Sequence, residues 1–87
     1  YEVQIGERTI LLPLKEFELL YFLATNSMQV FSRAHLIEHI WGVDFEGDER
    51  TIDVHVKRLR ERFSKLTDDF HIKTVRGVGY SLEANRK

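Results

Sequence analysis

The chain predicts a single domain of the α+β class: strands open it, three helices follow, and a hairpin closes it. Three observations point there. Residues at both ends alternate apolar and polar side chains, the middle carries apolar residues at helical spacing, and the one proline and five glycines fall between these segments. At 87 residues the chain has room for one hydrophobic core.

Residues 1–5 and 8–12 alternate around Gly6 and Glu7, the pattern of a β-hairpin with one buried face. Pro13 breaks the strand, and residues 15–25 then set Phe17, Leu20, Tyr21 and Ala24 at the spacings of an amphipathic helix that Asn26 can stop. Ser32 suits the cap of a second helix over 33–41, with Leu36, Ile37, Ile40 and Trp41 turned inward and Gly42 at its end. Residues 42–47 are acidic and glycine-bounded, hence a loop, after which Asp48 can cap a third helix over 49–66. Ile52, Val56, Leu59, Phe63 and Leu66 form its narrow apolar arc. Thr51, His55, Arg58 and Arg62 lie on one outward flank, Arg50, Asp53, Lys57 and Arg60 on the other, and Val54 between them. Past a loop at 67–69, the β-rich runs 70–75 and 80–83 are joined by Arg76, Gly77, Val78 and Gly79 into a hairpin with a basic tip. Residues 84–87 read as a frayed tail.

Composition narrows the function. With 43% hydrophobic and 31% charged residues the chain folds rather than staying disordered. It has no cysteine, which excludes a disulfide framework, a thiolate metal site and a cysteine nucleophile, and suits a reducing, cytoplasmic setting. The longest apolar run, residues 19–24, is far short of the roughly 20 residues that cross a bilayer, so no membrane partner is expected. The chain begins at Tyr1 with neither an initiator methionine nor a leader, which reads as a piece of a longer protein. Net charge is −1, but it is sorted by position. Residues 1–49 hold three Lys and Arg against nine Asp and Glu, whereas residues 50–87 hold ten against five. Such asymmetry suits a surface whose basic part meets a polyanion while its acidic part faces elsewhere; a neutral solvated surface is the alternative.

Three groups of residues invite a chemical reading. In the third helix, Arg58 stands midway along the outward face, where its guanidinium fork matches guanine N7 and O6, and Val54, one turn earlier, suits a thymine methyl. Arg50, Thr51, His55, Lys57 and Arg60 on the flanks suit phosphates on the walls of a major groove. Arg76 at the hairpin tip suits a narrow minor groove, with Gly77 and Gly79 allowing close backbone approach. The plain alternative is an exposed helix whose cations pair with Asp53 and Glu61. Second, His35, Glu38 and His39 match the H-x-x-E-H pattern of inverted zinc peptidases, but no third ligand is evident and the residues read as a solvated polar face. Third, the acidic loop of Asp44, Phe45, Glu46, Gly47, Asp48 and Glu49 departs from calcium-loop spacing. No metal, cofactor or catalytic constellation is expected, so the chain does not read as an enzyme.

The strings Lys15-Glu16-Phe17-Glu18-Leu19-Leu20, Phe31-Ser32-Arg33, Leu36-Ile37-Glu38-His39-Ile40-Trp41-Gly42, Arg50-Thr51-Ile52-Asp53-Val54-His55-Val56-Lys57-Arg58-Leu59-Arg60 and Val75-Arg76-Gly77-Val78-Gly79-Tyr80 resemble the effector domain of OmpR/PhoB-type response regulators. The resemblance covers nearly the whole chain. It implies a winged helix-turn-helix with an N-terminal antiparallel sheet of about four strands, three helices and a C-terminal hairpin wing over 71–83 that pairs with a short strand at Val30 and Phe31. It further implies sequence-specific binding of double-stranded DNA, with Val54, Arg58 and Arg76 at base-reading positions. Trp41, Arg50, Thr51, His55, Lys57, Arg60, Thr74 and Tyr80 match positions used largely for backbone contacts, although Trp41 and Tyr80 have an equal claim as packing residues. The loop with Asp44, Phe45, Glu46 and Asp48 matches a segment that contacts RNA polymerase in activating members. By the same resemblance, a receiver domain phosphorylated by a sensor histidine kinase precedes the effector and promotes dimers on tandem half-sites. Two departures concern helix caps: Pro13 lacks a capping oxygen, and Ala34 with His35 removes a capping-box glutamate. The competing class is a winged-helix module that binds an acidic protein.

Overall fold

A computed structural model describes residues 1–85. Strands β1 (Glu2–Ile5) and β2 (Arg8–Leu11) pair antiparallel with Val3 opposite Ile10, which turns both toward the core as the alternation requires. They form a two-stranded sheet, not the sheet of about four that the family resemblance implied. Pro13 and helix α1 (Leu14–Thr25) follow directly, so within these residues no chain remains to add a strand after β2. Pro13 stands at the N-cap without a side-chain bond, as its missing oxygen demands.

The buried face of α1 is Glu16, Leu19, Leu20 and Leu23, not the stripe through Phe17, Tyr21 and Ala24 expected from spacing. Phe17 is half-buried, and Tyr21 is 61% exposed and stacks on it at 6.0 Å. The cause is an ion pair: Arg62 Nε donates to Glu16 Oε1 at 2.8 Å, which lets a carboxylate that is 2% exposed sit in the core stripe. A charged residue inside an apolar stripe misleads any reading by hydrophobic period.

Strand β3 (Phe31–Ser32) leads straight into α2 (Arg33–Ile40), whose N-terminus is closed by His35 N–H donating to Ser32 Oγ at 3.1 Å. Val30 lies outside the strand, which takes Ser32 instead. Helix α3 (Arg50–Phe63) buries Ile52, Val56, Leu59 and Phe63. It ends three residues before the expected 66, and the chain turns at Ser64 with Leu66 and Thr67 N–H returning to the Phe63 carbonyl. Strands β4 (Phe70–Val75) and β5 (Gly79–Ala84) form the hairpin, and the three-stranded sheet runs β3-β5-β4. Ala84 pairs with Phe70, and Asn85 donates to the Asp68 and Asp69 carbonyls, so the expected tail is held through residue 85. Arg86 and Lys87 lie outside the described residues. One core joins Leu12, α1, Leu36 and Ile40 of α2, the α3 arc, and Ile72, Tyr80 and Leu82 of the sheet.

Candidate nucleic-acid interface

The core arc of α3 faces inward, so its opposite side is available to solvent over the whole helix. Val54 is 45% exposed, and Lys57 and Arg58 are exposed beside it. Val54 and Arg58 are four residues apart and therefore stacked on one face, about 6 Å along the axis. Among the described residues, the side chains of Lys57, Arg58 and Arg76 make no hydrogen bond or ion pair.

The start of α3 is set by Asp48. Its Oδ1 accepts from Arg50 N–H at 2.9 Å, and its Oδ2 accepts from Arg50 Nη2 at 3.1 Å. The Arg50 backbone bond, then the Arg50 side chain, hold the Asp48 carboxyl below the ordinary aspartate value. Asp48 thus acts at the helix terminus as expected, although the cap position itself is Glu49. Half-buried Thr51 accepts at its carbonyl: His55 Nδ1 lies 2.8 Å away, and the His55 ring meets Trp41 edge-on at 4.9 Å. Trp41, at the C-cap of α2, is flanked by Phe45 at 5.8 Å and by Lys15 Nζ at 5.9 Å. Lys15 also donates to the Ile40 carbonyl at 2.8 Å, a cation at the negative end of α2.

Three residues expected to touch the DNA backbone are engaged inside the protein. Arg60 donates through Nε and Nη2 to the Ile72 carbonyl at 3.1 and 2.6 Å, and through Nη2 to Thr74 Oγ1 at 2.8 Å. Tyr80 is 6% exposed and its hydroxyl donates to Asp53 Oδ1 at 2.6 Å. Burial, then the Asp53 bond, push its hydroxyl pKa up. Asp53 also pairs with Arg33 Nε at 3.0 Å, so its cation comes from α2 and not from its own helix. Arg62, expected on the outward flank, reaches back to Glu16.

At the wing tip, Val78 N–H closes on the Val75 carbonyl at 3.0 Å, and Gly77 takes the positive φ of 74° that this turn needs at its third position. Gly79 serves the sheet rather than an approaching duplex. A Cβ there would lie 1.9 Å from the Phe31 carbonyl oxygen, so its lack of a side chain is what admits β3 against β5. Arg76 is exposed on this turn.

The acidic loop folds on itself, with Phe45 beneath Gly47 and against Trp41. Asp44 and Glu46 stay exposed beside a groove of about 570 Å³ between α2 and the start of α3. His35, Glu38 and His39 are exposed, as a solvated face requires, and the two imidazoles also lean on aromatic rings, His39 at 4.1 Å from Phe22 and His35 at 5.3 Å from Phe31. No three or more His, Cys, Asp or Glu gather at a metal-binding distance among the described residues, and none of their helices is long and apolar enough to cross a membrane.

Residues 6–82 match the family described as transcriptional regulatory protein, C terminal, the OmpR/PhoB-type DNA-binding domain. The chain belongs to that family. The OmpR/PhoB-type effector is a winged helix that serves transcription regulation through DNA and is not an enzyme. This member is 56% identical over 82 residues to the heme response regulator HssR of Staphylococcus aureus (strain bovine RF122 / ET3-1), covering 94% of this chain and 37% of that protein. It is 54% identical over 84 residues to the HssR of Staphylococcus epidermidis, covering 97% of this chain and 38% of that one. The chain therefore spans well under half the length of these relatives. Among solved structures, the DNA-binding domain of Bacillus subtilis CssR superposes with a TM-score of 0.82 at 30% identity, over 93% of this chain and 89% of that one. The Klebsiella pneumoniae RstA DNA-binding domain, solved in complex with RstA box, gives 0.77 at 35% identity, over 94% of this chain and 82% of that one.

Proposed function

We propose that this effector domain recognises a specific double-stranded DNA sequence, with α3 in the major groove and the β4–β5 wing, over 71–83, in or beside the adjacent minor groove. The observation that carries the reading is the set of outward cations Lys57, Arg58 and Arg76, which no described carboxylate neutralises, on a chain of net charge −1. Arg58 reads guanine and Val54 a thymine methyl, while Arg76 enters the minor groove. Arg50, Thr51, Lys57 and the Trp41–His55 pair meet phosphates. The loop with Asp44, Phe45, Glu46 and Asp48 offers RNA polymerase an acidic, aromatic-backed surface. In the longer parent, a cytoplasmic protein, a receiver domain phosphorylated by a sensor histidine kinase drives dimers onto tandem half-sites, and avidity strengthens a single domain's grip. The identity to heme response regulators supports a parent that serves the same kind of response.

The test is binding of the 87-residue chain to random-sequence duplex by fluorescence anisotropy across a salt series. A log–log slope of about −4 to −5, from about five phosphates, is expected. A folded chain that binds no duplex even at low salt would overturn the reading in favour of an acidic protein partner.

A further inference from the structure

We propose that Tyr80, Asp53 and Arg60 are positioning residues for DNA recognition: they lock the wing to the recognition helix and so set the reach between the major-groove probe Arg58 and the minor-groove probe Arg76. The inference rests on the DNA-binding reading above and deepens it. Two attachments make the lock. Near the start of α3, Asp53 Oδ1 receives the Tyr80 hydroxyl of β5 at 2.6 Å, and two turns later Arg60 grips the Ile72 carbonyl and Thr74 Oγ1 of β4. The seven-residue step from Asp53 to Arg60 brings both to one side of the helix, about 10 Å apart along its axis. The β3 ladder holds β5 to the strand that precedes α2, and the two attachments to α3 fix the angle of the hairpin against the recognition helix itself. The lock also closes on itself, because Tyr80 stands opposite Thr74 in the register and the Arg60 guanidinium lies 5.7 Å over the Tyr80 ring.

Apolar packing does not supply this angle. Ile72 and Leu82 pack the middle of the hairpin into the core and the Tyr80 ring its end nearer the tip, but Arg76 and Val78 are exposed beyond them, and hydrophobic contact is non-directional. Hydrogen bonds to named atoms are directional. The same Asp53 oxygen takes Arg33 Nε at 3.0 Å, so α2, α3 and the wing converge on a single acceptor. This accounts for a carboxylate on a flank that also carries Arg50, Lys57 and Arg60: against phosphate it is unfavourable, and as the hub of the lock it is required.

A double-mutant cycle between Tyr80→Phe and Arg76→Ala tests the proposal, measured as affinity for an operator selected with the wild-type chain. Tyr80→Phe deletes only the hydroxyl and keeps the buried ring. Arg76→Ala is expected to weaken operator binding roughly tenfold in the wild type but less than about threefold in Tyr80→Phe, because a wing off its angle no longer delivers the arginine. Fully multiplicative effects, with the salt slope reduced by about one in Tyr80→Phe, would make the hydroxyl a direct phosphate contact and overturn the lock. Unchanged binding by Tyr80→Phe would overturn it as well. Should Tyr80→Phe lower the denaturation midpoint enough to leave the chain unfolded, Arg60→Gln, at an exposed position, carries the same cycle with the same outcomes. Failure of the wild type to bind duplex at any salt would sink the DNA reading itself, an outcome distinct from failure of the lock.

Discussion

Lys57 and Arg58 are adjacent, exposed and unpaired, yet truncating them is expected to do different things. Arg58→Ala should lose roughly 1–3 kcal/mol of preference for operator over a duplex changed at one guanine, because a bidentate base contact is what discriminates. Lys57→Ala should weaken all duplexes alike and lower the salt slope by about one. Competition anisotropy with matched and mismatched duplexes separates the two. Asp48 sets a pH dependence of known sign. Its carboxyl is held below the ordinary value of 3.8, so the support it lends the start of α3 is complete above that value and is lost as pH falls through the folded-state pKa. Acid titration by NMR is expected to show the Arg50 amide shifting with the Asp48 carboxyl at a pH below 3.8; a midpoint at or above the ordinary value would contradict the bond.

At the scale of elements, the joints between helices and sheets carry the risk. Gly79→Ala must push β3 from β5, because the new Cβ would meet backbone rather than a movable side chain. The expected cost is about 3 kcal/mol or more, read from the urea midpoint, together with loss of slow-exchanging amides in the wing. The α1–α3 joint rests on Glu16 and Arg62. Arg62→Ala strands a carboxylate in the core and is expected to cost roughly 2–3 kcal/mol, less than a fully enclosed pair would because Arg62 is part-exposed. Adding Glu16→Leu should recover most of that loss; no recovery would mean that Arg62 matters for some other contact. Most elements were legible because their signals are local: Ser32 three residues before His35, alternation about Gly6, helical spacing up to Phe63. The end of α3 was less so, since Leu66 continues the apolar arc on paper while the chain turns at Ser64.

For the whole molecule, binding a polyanion with a net charge of −1 requires that charge be sorted in space as well as along the chain. The fold achieves part of this by tying some cations to partners within the protein. Arg62 goes to Glu16, Arg33 to Asp53 and Arg60 to β4, while on the outer face of α3 and at the wing tip Lys57, Arg58 and Arg76 keep unpaired side chains. The domain and its duplex are then expected to be linked: operator at 100 times its Kd should stabilise the chain by about 2.7 kcal/mol, read as a thermal shift that shrinks with added salt. A shift that ignores salt would place the basic face outside the interface.

The sequence by itself determined the class, the order of elements, the recognition helix, the wing and the outward positions of Val54, Arg58 and Arg76, because helical and strand periods, caps and turn residues act between close neighbours in the chain. It also carried the family, through motifs spread over nearly its whole length. Only the tertiary structure decided which face of α1 is buried, and that Arg60, Thr74 and Tyr80 are tied to their own protein. The partners in those contacts lie 46 residues apart for Arg62 and Glu16, 27 for Tyr80 and Asp53, and 14 for Arg60 and Thr74. No spacing rule spans such intervals: a buried ion pair turns a glutamate inward against its hydropathy, and the geometry that makes it favourable exists only once both helices are packed.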